Sequence, residues 1–550
     1  MKIALSQLNF HIGNLNYNSE KIINAINKAK TENVDLIIFS ELSVCGYCPL
    51  DMLEHRNFIK DCNDAINKIV IHTTGIAVII GSPTINPHQK GKKLYNSAIF
   101  IKNQAIIKTV NKTLLPTYDV FDETRYFEPN DVFEIIEYKN KKIALTICAD
   151  LWDEQRTNGN FTKDILFENN PLKYLSKCKP DFIVNIAATP YSFRHAKIHE
   201  DILINNAKKY STPIIYVNQI GANTDLIYDG GSLVINNKGQ KVIEANYFEE
   251  DFTSINLDDI NQLQEIQVIK QNKYADIYKA LVLGVSDYCE KSGFKKAVIG
   301  LSGGIDSALT LAIAVGALGA ENVDAILMPS IYSSEHSVID AIDMAERCKI
   351  KYHIINIEEL RLSFDNSMSG VFEGTKQDVT EENIQARIRG SVLMAYSNKF
   401  GHILLNPSNK SEIAIGYSTM YGDMNGAISV LGDIYKTEVY ELANYINQNI
   451  KNIIPQNTIT KAPSAELRPN QQDNDNLPDY ELLDRILFEY IENQLSANEI
   501  EKLVNNRKTI NSVIKLVNNS EFKRFQSPPI IRISSKAFGT GRKMPIVAKF

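Results

Sequence analysis

At 550 residues the chain is too long for one hydrophobic core, so two large domains or about three ordinary ones are expected. Apolar residues make up 44% and charged ones 23%, as in soluble globular proteins, and no apolar run approaches the roughly 20 residues of a membrane span. The net charge of −6 excludes a general polyanion binder, and so a nucleic-acid partner. Seven cysteines without disulfide-framework spacing, and an N-terminus (MKIALSQLNF) that alternates instead of running apolar, predict a cytoplasmic protein with reduced thiols.

In chain order, KIALSQL, DLIIFSE, IAVIIGS, SAIFI, AIIKTV, KIALTIC, FIVNIAA, IIYVNQI and SLVIN read as strands. Ser19–Lys30, Asn57–Val70 and Arg194–Tyr210 read as helices, and hairpin-length turns fall near Lys102-Asn103, Lys139-Asn140-Lys141 and Asn237-Lys238-Gly239. Hairpin-paired strands with helices outside predict a layered α/β sandwich. The polar stretch Asp258–Lys273 marks a junction, giving expected domains 1–262 and 263–550.

Beyond the junction come a helix at Tyr274–Lys291, strand AVIGL, a glycine loop, helix Ser307–Leu318, strand AILMP, helix Ser337–Cys348 and strand YHIINI. That alternation predicts a doubly wound parallel sheet. Pro455–Asp479, rich in Pro, Asn, Gln and Asp, reads as a mobile loop, with helices at Asp479–Gln494 and Asn498–Asn506 after it.

Three strands of the first half end in reactive side chains: Glu41, Lys112 and Cys148. A thiol with the ordinary pKa near 8.5 is only a few per cent thiolate at neutral pH, so a nucleophilic Cys needs a base and a positive neighbour. A carboxylate such as Glu41 supplies the base, and an ammonium such as Lys112 stabilises an oxyanion. Each residue alone also fits a bland reading, since free Cys is mostly buried structure and strand-end Glu or Lys is mostly solvated. The surrounding KTLLPTYDVFDETRYFEP and ICADLWD resemble the nitrilase superfamily, in particular the glutaminase half of glutamine-dependent NAD synthetases. That resemblance implies an α-β-β-α sandwich with Glu41 as general base, Lys112 as oxyanion-stabilising cation and Cys148 as nucleophile. It also implies glutamine-binding roles for Tyr118, for Thr189 where relatives carry Ser, and for Lys197, at longer spacing than the family pattern. Cys45 and Cys48 form a Cys-x-x-Cys with no second pair, read as two free thiols on a loop beside the site. His195 and His199 lack the His-Glu-x-x-His pattern of a metal site.

AVIGL runs directly into SGGIDS and a helix. Glycines there let backbone amides approach phosphate, and the helix N-terminus favours an anion; the Gly-Lys-Ser/Thr end of a Walker loop is absent. The segment resembles the pyrophosphate loop of N-type ATP pyrophosphatases, which implies a Rossmann-like domain of the adenine-nucleotide α-hydrolase type. ATP contacts are then implied at Gly300, Leu301, Ser302, Gly303, Gly304, Ile305, Asp306, Ser307, Pro407 and Ser464. TEENIQARIRG, NPSNKSE, GYSTMYGDMNG, APSAELRPNQQDNDNLPDYELLD and FKRFQSPP resemble NAD synthetase segments. They imply deamido-NAD contacts at Asn383, Arg387, Glu412, Lys523 and Arg524, Mg²⁺ on Asp306 and Glu412, and a homo-oligomer. Arg389 and Lys410 read as further counter-charges, each of them in isolation a surface cation.

Pro407 stands where relatives carry a Thr, and Met420 and Ala427 where ammonia-dependent enzymes carry Lys and Asp. These departures leave the dinucleotide contacts open. The implied reaction is glutamine-dependent amidation of deamido-NAD at the expense of ATP, with ammonia carried between the two sites. A glutamine-fed ligase for another carboxylate and a non-catalytic scaffold are the alternatives.

Overall fold

The computed structural model describes residues 1–152, 169–193, 195–266, 272–463, 466–468 and 477–549. They fall into two units, Met1–Lys270 and Gln271–Phe550. The first contains β1 (Lys2–Gln7), β2 (Leu36–Ile38), β3 (Ala77–Ile85), β4 (Leu94–Lys102), β5 (Ala105–Asn111), β6 (Ile136–Tyr138), β7 (Lys141–Ile147), β8 (Phe182–Ala187), β9 (Ile214–Asn218), β10 (Ile220–Asn223), β11 (Leu226–Asp229), β12 (Leu233–Ile235), β13 (Lys241–Glu244) and β14 (Asp251–Asn256). Two six-stranded sheets result, ordered β14-β1-β2-β3-β4-β5 and β13-β12-β9-β8-β7-β6, with β10 and β11 paired separately. In each sheet three central strands run parallel, β1-β2-β3 and β7-β8-β9, and antiparallel strands flank them.

The alternation of side chains along each strand assembles the layers. Ile3, Leu5, Leu36, Ile38 and Ile79 of the first sheet share one core with Ile143, Leu145, Phe182, Val184 and Val217 of the second. Their neighbours Ala4, Ile37, Val78 and Ile80 face the other way, onto Ile22, Ile26, Ile66 and Ile69 of helices Leu15–Thr31 and Arg56–Val70. Helix His195–Tyr210 covers the outer face of the second sheet through Ile202, Leu203 and Ala207. This is the expected α-β-β-α sandwich. The turn between β4 and β5 is Asn103-Gln104, one residue later than its sequence reading. Both residues have positive φ, the type I′ geometry that matches strand twist. Lys139-Asn140 does the same between β6 and β7.

The second unit carries β15 (Ala297–Gly300), β16 (Val323–Leu327), β17 (Lys351–Ile354), β18 (Ile403–Asn406) and β19 (Ile428–Ser429), ordered β17-β16-β15-β18-β19 and parallel at every pairing. The chain first builds outward from β15 to β17, then returns to β15's other side. The switch point where such sheets bind ligands therefore lies at the carboxyl ends of β15 and β18. Helices Tyr480–Ile491, Ala497–Val504 and Arg507–Asn519 pack together on helix Lys410–Ile415. Within the stretch read as a loop, Gln456–Thr460 is helical, because Pro455 supplies a start and Ile459 a buried anchor. Among the described residues no helix is long and apolar enough to cross a membrane.

Candidate active sites

In the first unit the sheet edges deliver the reactive groups to one place. β2 is only three residues long, and the extended chain beyond it reaches Glu41, which is fully buried. The backbone of residues 40–42 lies so close to β3 that a Cβ on Gly81 would stand 2.2 Å from the Leu42 nitrogen, so glycine is required there. Lys112 follows β5 and is anchored by its N–H to the Asn96 carbonyl at 2.8 Å. Cys148 follows β7 at the start of a one-turn helix, with φ +42°, a region rarely adopted outside glycine and concentrated at functional positions.

Lys112 Nζ donates to Glu41 Oε1 at 2.7 Å and to Glu123 Oε1 at 2.8 Å, with all three side chains buried. Asn96 Nδ2 donates to Glu41 Oε1 at 2.7 Å, the Ala188 N–H to Glu41 Oε2 at 3.1 Å, and the Tyr47 hydroxyl to Glu123 Oε1 at 2.7 Å. An ammonium has three protons, so one remains beyond these two carboxylates. Burial pushes the Glu123 carboxyl up to about 7, against the opposing pull of Lys112. Burial would lower the Lys112 ammonium, but the two carboxylates hold it well above its usual range. The Cys148 thiol is pushed up to about 12, by burial first and then by Glu41, while Lys112 and Thr189 act in the other direction. The resting sulfur is therefore a thiol, and attack needs a base at hand.

Sequence reasoning missed Glu123, which sits on a one-turn helix beside the exposed Asp122 of the same DVFDETR run. It also missed Asp150, whose carboxylate accepts the N–H groups of Thr113, Leu114 and Ile147 at 2.9–3.0 Å and so ties the Lys112 loop to the Cys148 turn. Thr189 Oγ1 lies 3.8 Å from Cys148 Sγ. Tyr118 stands edge-on to Phe121, and burial beside Cys148 pushes its phenol up to about 12. Lys197 is exposed on helix His195–Tyr210, and among the described residues no bond ties it to Cys148 or Thr189. Cys45 is buried and Cys48 partly exposed, both as free thiols, and His199 packs between Trp152 and Tyr216.

In the second unit a cavity of about 340 Å³ opens at the switch point. Residues Gly300 to Ser307, Pro407 and Glu412 line it, with Arg389 and Lys436. Gly303 has φ +82°, and a Cβ there would meet the Ser337 carbonyl oxygen at 2.2 Å. Ser302 Oγ accepts the Gly304 N–H at 3.2 Å and lies 3.1 Å from Ser307 Oγ, which shapes the loop ahead of helix Ile305–Leu318. The Lys436 ammonium bonds Asp306 Oδ2 and lies 3.8 Å from Glu412 Oε1, while Asn409 Nδ2 holds Asp306 Oδ1 at 3.0 Å.

Three further residues converge on the neighbouring loop. Asn383 Oδ1 accepts from Thr419 at 2.7 Å, Arg387 Nε reaches the Met420 carbonyl at 3.3 Å, and Lys523 Nζ reaches those of Gly416 and Ser418 at 2.8 and 2.7 Å. Two cations are placed otherwise than the sequence suggested. The Arg524 guanidinium is buried on the carbonyls of Ile413, Ala414 and Val517 and on Glu521, so its donors are spent within the fold. Lys410 is fully buried against Asp433 and Glu492 at 2.8 and 2.9 Å. Ser464 lies outside the described residues.

The chain matches the carbon-nitrogen hydrolase family over residues 2–267 and the NAD synthase family over residues 277–527. A glutamine-dependent NAD(+) synthetase of Synechocystis sp. is 42% identical, over 100% of this chain and 99% of that protein. One from Acinetobacter baylyi is 39% identical, over 99% and 98%. The solved structure of a glutamine-dependent NAD+ synthetase from Acinetobacter baumannii, in complex with adenosine diphosphate, is 38% identical with a TM-score of 0.77, over 99% and 98% of the two chains. Full-length similarity of this order, joined to the two sites described, shows that the chain belongs to the glutamine-dependent NAD(+) synthetase family.

Proposed function

We propose that the chain makes NAD from deamido-NAD, ATP and glutamine in two half-reactions. The observation that carries this reading is the pairing, on one chain, of a Glu41–Lys112–Glu123 charge set beside Cys148 with a glycine-loop cavity at a parallel-sheet switch point. In the first half-reaction Glu41 takes the thiol proton as Cys148 Sγ attacks the side-chain amide carbon of glutamine. The third N–H of Lys112 meets the developing oxyanion, in a buried site where that charge interaction is strong. The C–N bond breaks, ammonia leaves with the proton returned by Glu41, and water hydrolyses the thioester to glutamate. Tyr118 and Thr189 border the substrate.

In the second half-reaction the nicotinate carboxylate of deamido-NAD attacks the α-phosphorus of ATP and expels pyrophosphate. Ammonia then attacks the acyl carbon and AMP departs. The amides of Gly303 and Ile305 and the N-terminus of helix Ile305–Leu318 suit the pyrophosphate charge. Asn383, Arg387 and Lys523, gathered on the 416–425 loop, suit the dinucleotide. Asp306 and Glu412 already converge on one cation, the Lys436 ammonium, and as hard oxygen donors they fit Mg²⁺. Mg²⁺ held there neutralises phosphate charge.

The second unit also leaves Leu360, Leu362 and Phe364 exposed on helix Glu358–Met368, and Val379, Met394 and Phe400 on helix Val379–Phe400. So much apolar surface on two helices of one unit supports a homo-oligomer paired through the synthetase units; a solution mass of one chain contradicts it. The reading as a whole is tested by supplying deamido-NAD, ATP and Mg²⁺ with glutamine, and following NAD, AMP and glutamate. Equal amounts of the three are expected. Adenylation of other carboxylates, but not deamido-NAD, would replace it with a different glutamine-fed ligase.

A further inference from the structure

Tyr216 lies on β9, buried, with its ring 4.7 Å from the His199 imidazole. Its hydroxyl donates to Thr189 Oγ1 at 3.0 Å, and among the described residues Thr189 is its one hydrogen-bond partner. Thr189 is fixed from a second direction, because its backbone N–H donates to Asn218 Oδ1 at 2.9 Å. Asn218 is itself held by its side-chain bond to the Gly230 carbonyl at 3.0 Å. A hydroxyl carries one proton and two lone pairs. With Tyr216 donating into the Thr189 oxygen, the threonine proton is left to point elsewhere, and Cys148 Sγ lies 3.8 Å away.

We infer that Tyr216 is a positioning residue for the nucleophile: it orients the Thr189 hydroxyl so that its proton is donated to the Cys148 sulfur, stabilising the thiolate during attack. The inference deepens the glutaminase reading and rests on it. No proton moves along this chain. Tyr216 and Thr189 keep theirs, and the thiol proton goes to Glu41.

The surroundings of the sulfur give this bond its importance. Burial and the carboxylates of Glu41 and Glu123 disfavour a thiolate, while Lys112 and Thr189 oppose them. The neighbouring phenols and the His199 imidazole add no charge at neutral pH. Burial holds the phenols of Tyr118, Tyr216 and Tyr228 above their usual range and pushes His199 down to about 4, leaving the imidazole neutral. Asp229 faces Tyr216 and adds one more negative charge, disfavouring its phenolate. A phenylalanine at 216 would fill the same space against His199, so packing alone does not call for the hydroxyl.

The test uses the full chain carrying Tyr216→Phe, Thr189→Val, Thr189→Ser or Tyr216→Phe with Thr189→Val. Iodoacetamide alkylation of Cys148 is followed by mass spectrometry of its own peptide between pH 7 and 9, which sets aside the exposed Cys178. Glutamate release gives kcat and KM. Losing one hydrogen bond to a charged sulfur costs about tenfold. Tyr216→Phe should therefore slow alkylation about tenfold throughout that range and lower kcat similarly, with the KM for glutamine changed less than about twofold. Thr189→Val should slow alkylation as much, the double variant no more than Thr189→Val, and Thr189→Ser should keep most of the wild-type rate. An alkylation rate in Tyr216→Phe equal to wild type, or additive losses in the double variant, overturns the inference. Should Tyr216→Phe fail to fold, Thr189→Val against Thr189→Ser decides whether the hydroxyl acts on the sulfur. A wild-type chain that releases no glutamate sinks the glutaminase reading instead, while the alkylation rates still judge Tyr216 on their own.

Discussion

Glu123 shows how one buried side chain sets the electrostatics of the first site. Without it, Lys112 and Glu41 form a neutral pair; with it ionised, the set carries one surplus negative charge that burial resists. Its carboxyl, raised from 4.5 to about 7, binds a proton more tightly folded than unfolded. Stability from that proton is present below about pH 4.5 and is lost as pH rises toward 7. Glu123→Gln stays neutral throughout, so the melting temperature of wild type relative to this variant should fall between pH 5 and 7.5. A constant difference would remove Glu123 from the titrating set. In the second site, Asp306→Asn and Glu412→Gln each delete a hard oxygen donor facing Lys436, and each should lower NAD formation at least about a hundredfold with either nitrogen source. Near-normal rates with ammonium would exclude that residue from the metal and phosphate site. Glu41, Lys112 and Cys148 were legible because each follows an apolar strand that names its position. Glu123 and Arg524 were not, because they are held by the distant Tyr47 hydroxyl in one case and by backbone carbonyls in the other, which leave no trace in residue type.

At the scale of elements, the Ser302–Ser307 loop is held to its shape by one close contact. Gly303 has positive φ and no room for a Cβ beneath the Ser337 carbonyl, whereas a Cβ on Gly304 would meet only Ser302 Oγ at 3.3 Å. Gly303→Ala must therefore push the loop away from helix Glu335–Cys348, and Gly304→Ala need only shift a hydroxyl. The first should reduce ATP-dependent synthesis more than about tenfold further than the second, with glutaminase activity retained in both. Similar losses in the two would mean that loop shape is not set by this contact. The strands and helices named from the sequence lie within a few residues of their observed bounds, since burial on one face imposes a period, whereas helices Lys436–Tyr445 and Arg507–Asn519 and β18 were not read. Less legible was helix Val379–Phe400, whose buried residues Ile384, Gln385, Ala386 and Gly390 cluster at one part of its length and leave no amphipathic stripe. The short β19 carries too few residues to show any period.

At the scale of the whole molecule, the account assigns thiol chemistry to one unit and nucleotide chemistry to the other. Ammonia released to neutral water is protonated almost entirely to ammonium, which cannot attack an adenylate, so we propose that glutamine-fed synthesis keeps its ammonia out of bulk water. An enzymatic ammonia trap should leave most glutamine-dependent NAD formation intact, and loss of most of it would contradict that proposal. The two-unit organisation was legible because the polar stretch after β14 interrupts both strand and helix periods and because each half carries its own motif. The division of labour itself is tested most directly by Cys148→Ala, assayed for NAD formation with saturating deamido-NAD, ATP and Mg²⁺ and with either glutamine or ammonium as nitrogen source. The account predicts a loss of at least about a thousandfold with glutamine and a rate within about twofold of wild type with ammonium. Equal loss with both nitrogen sources would contradict it.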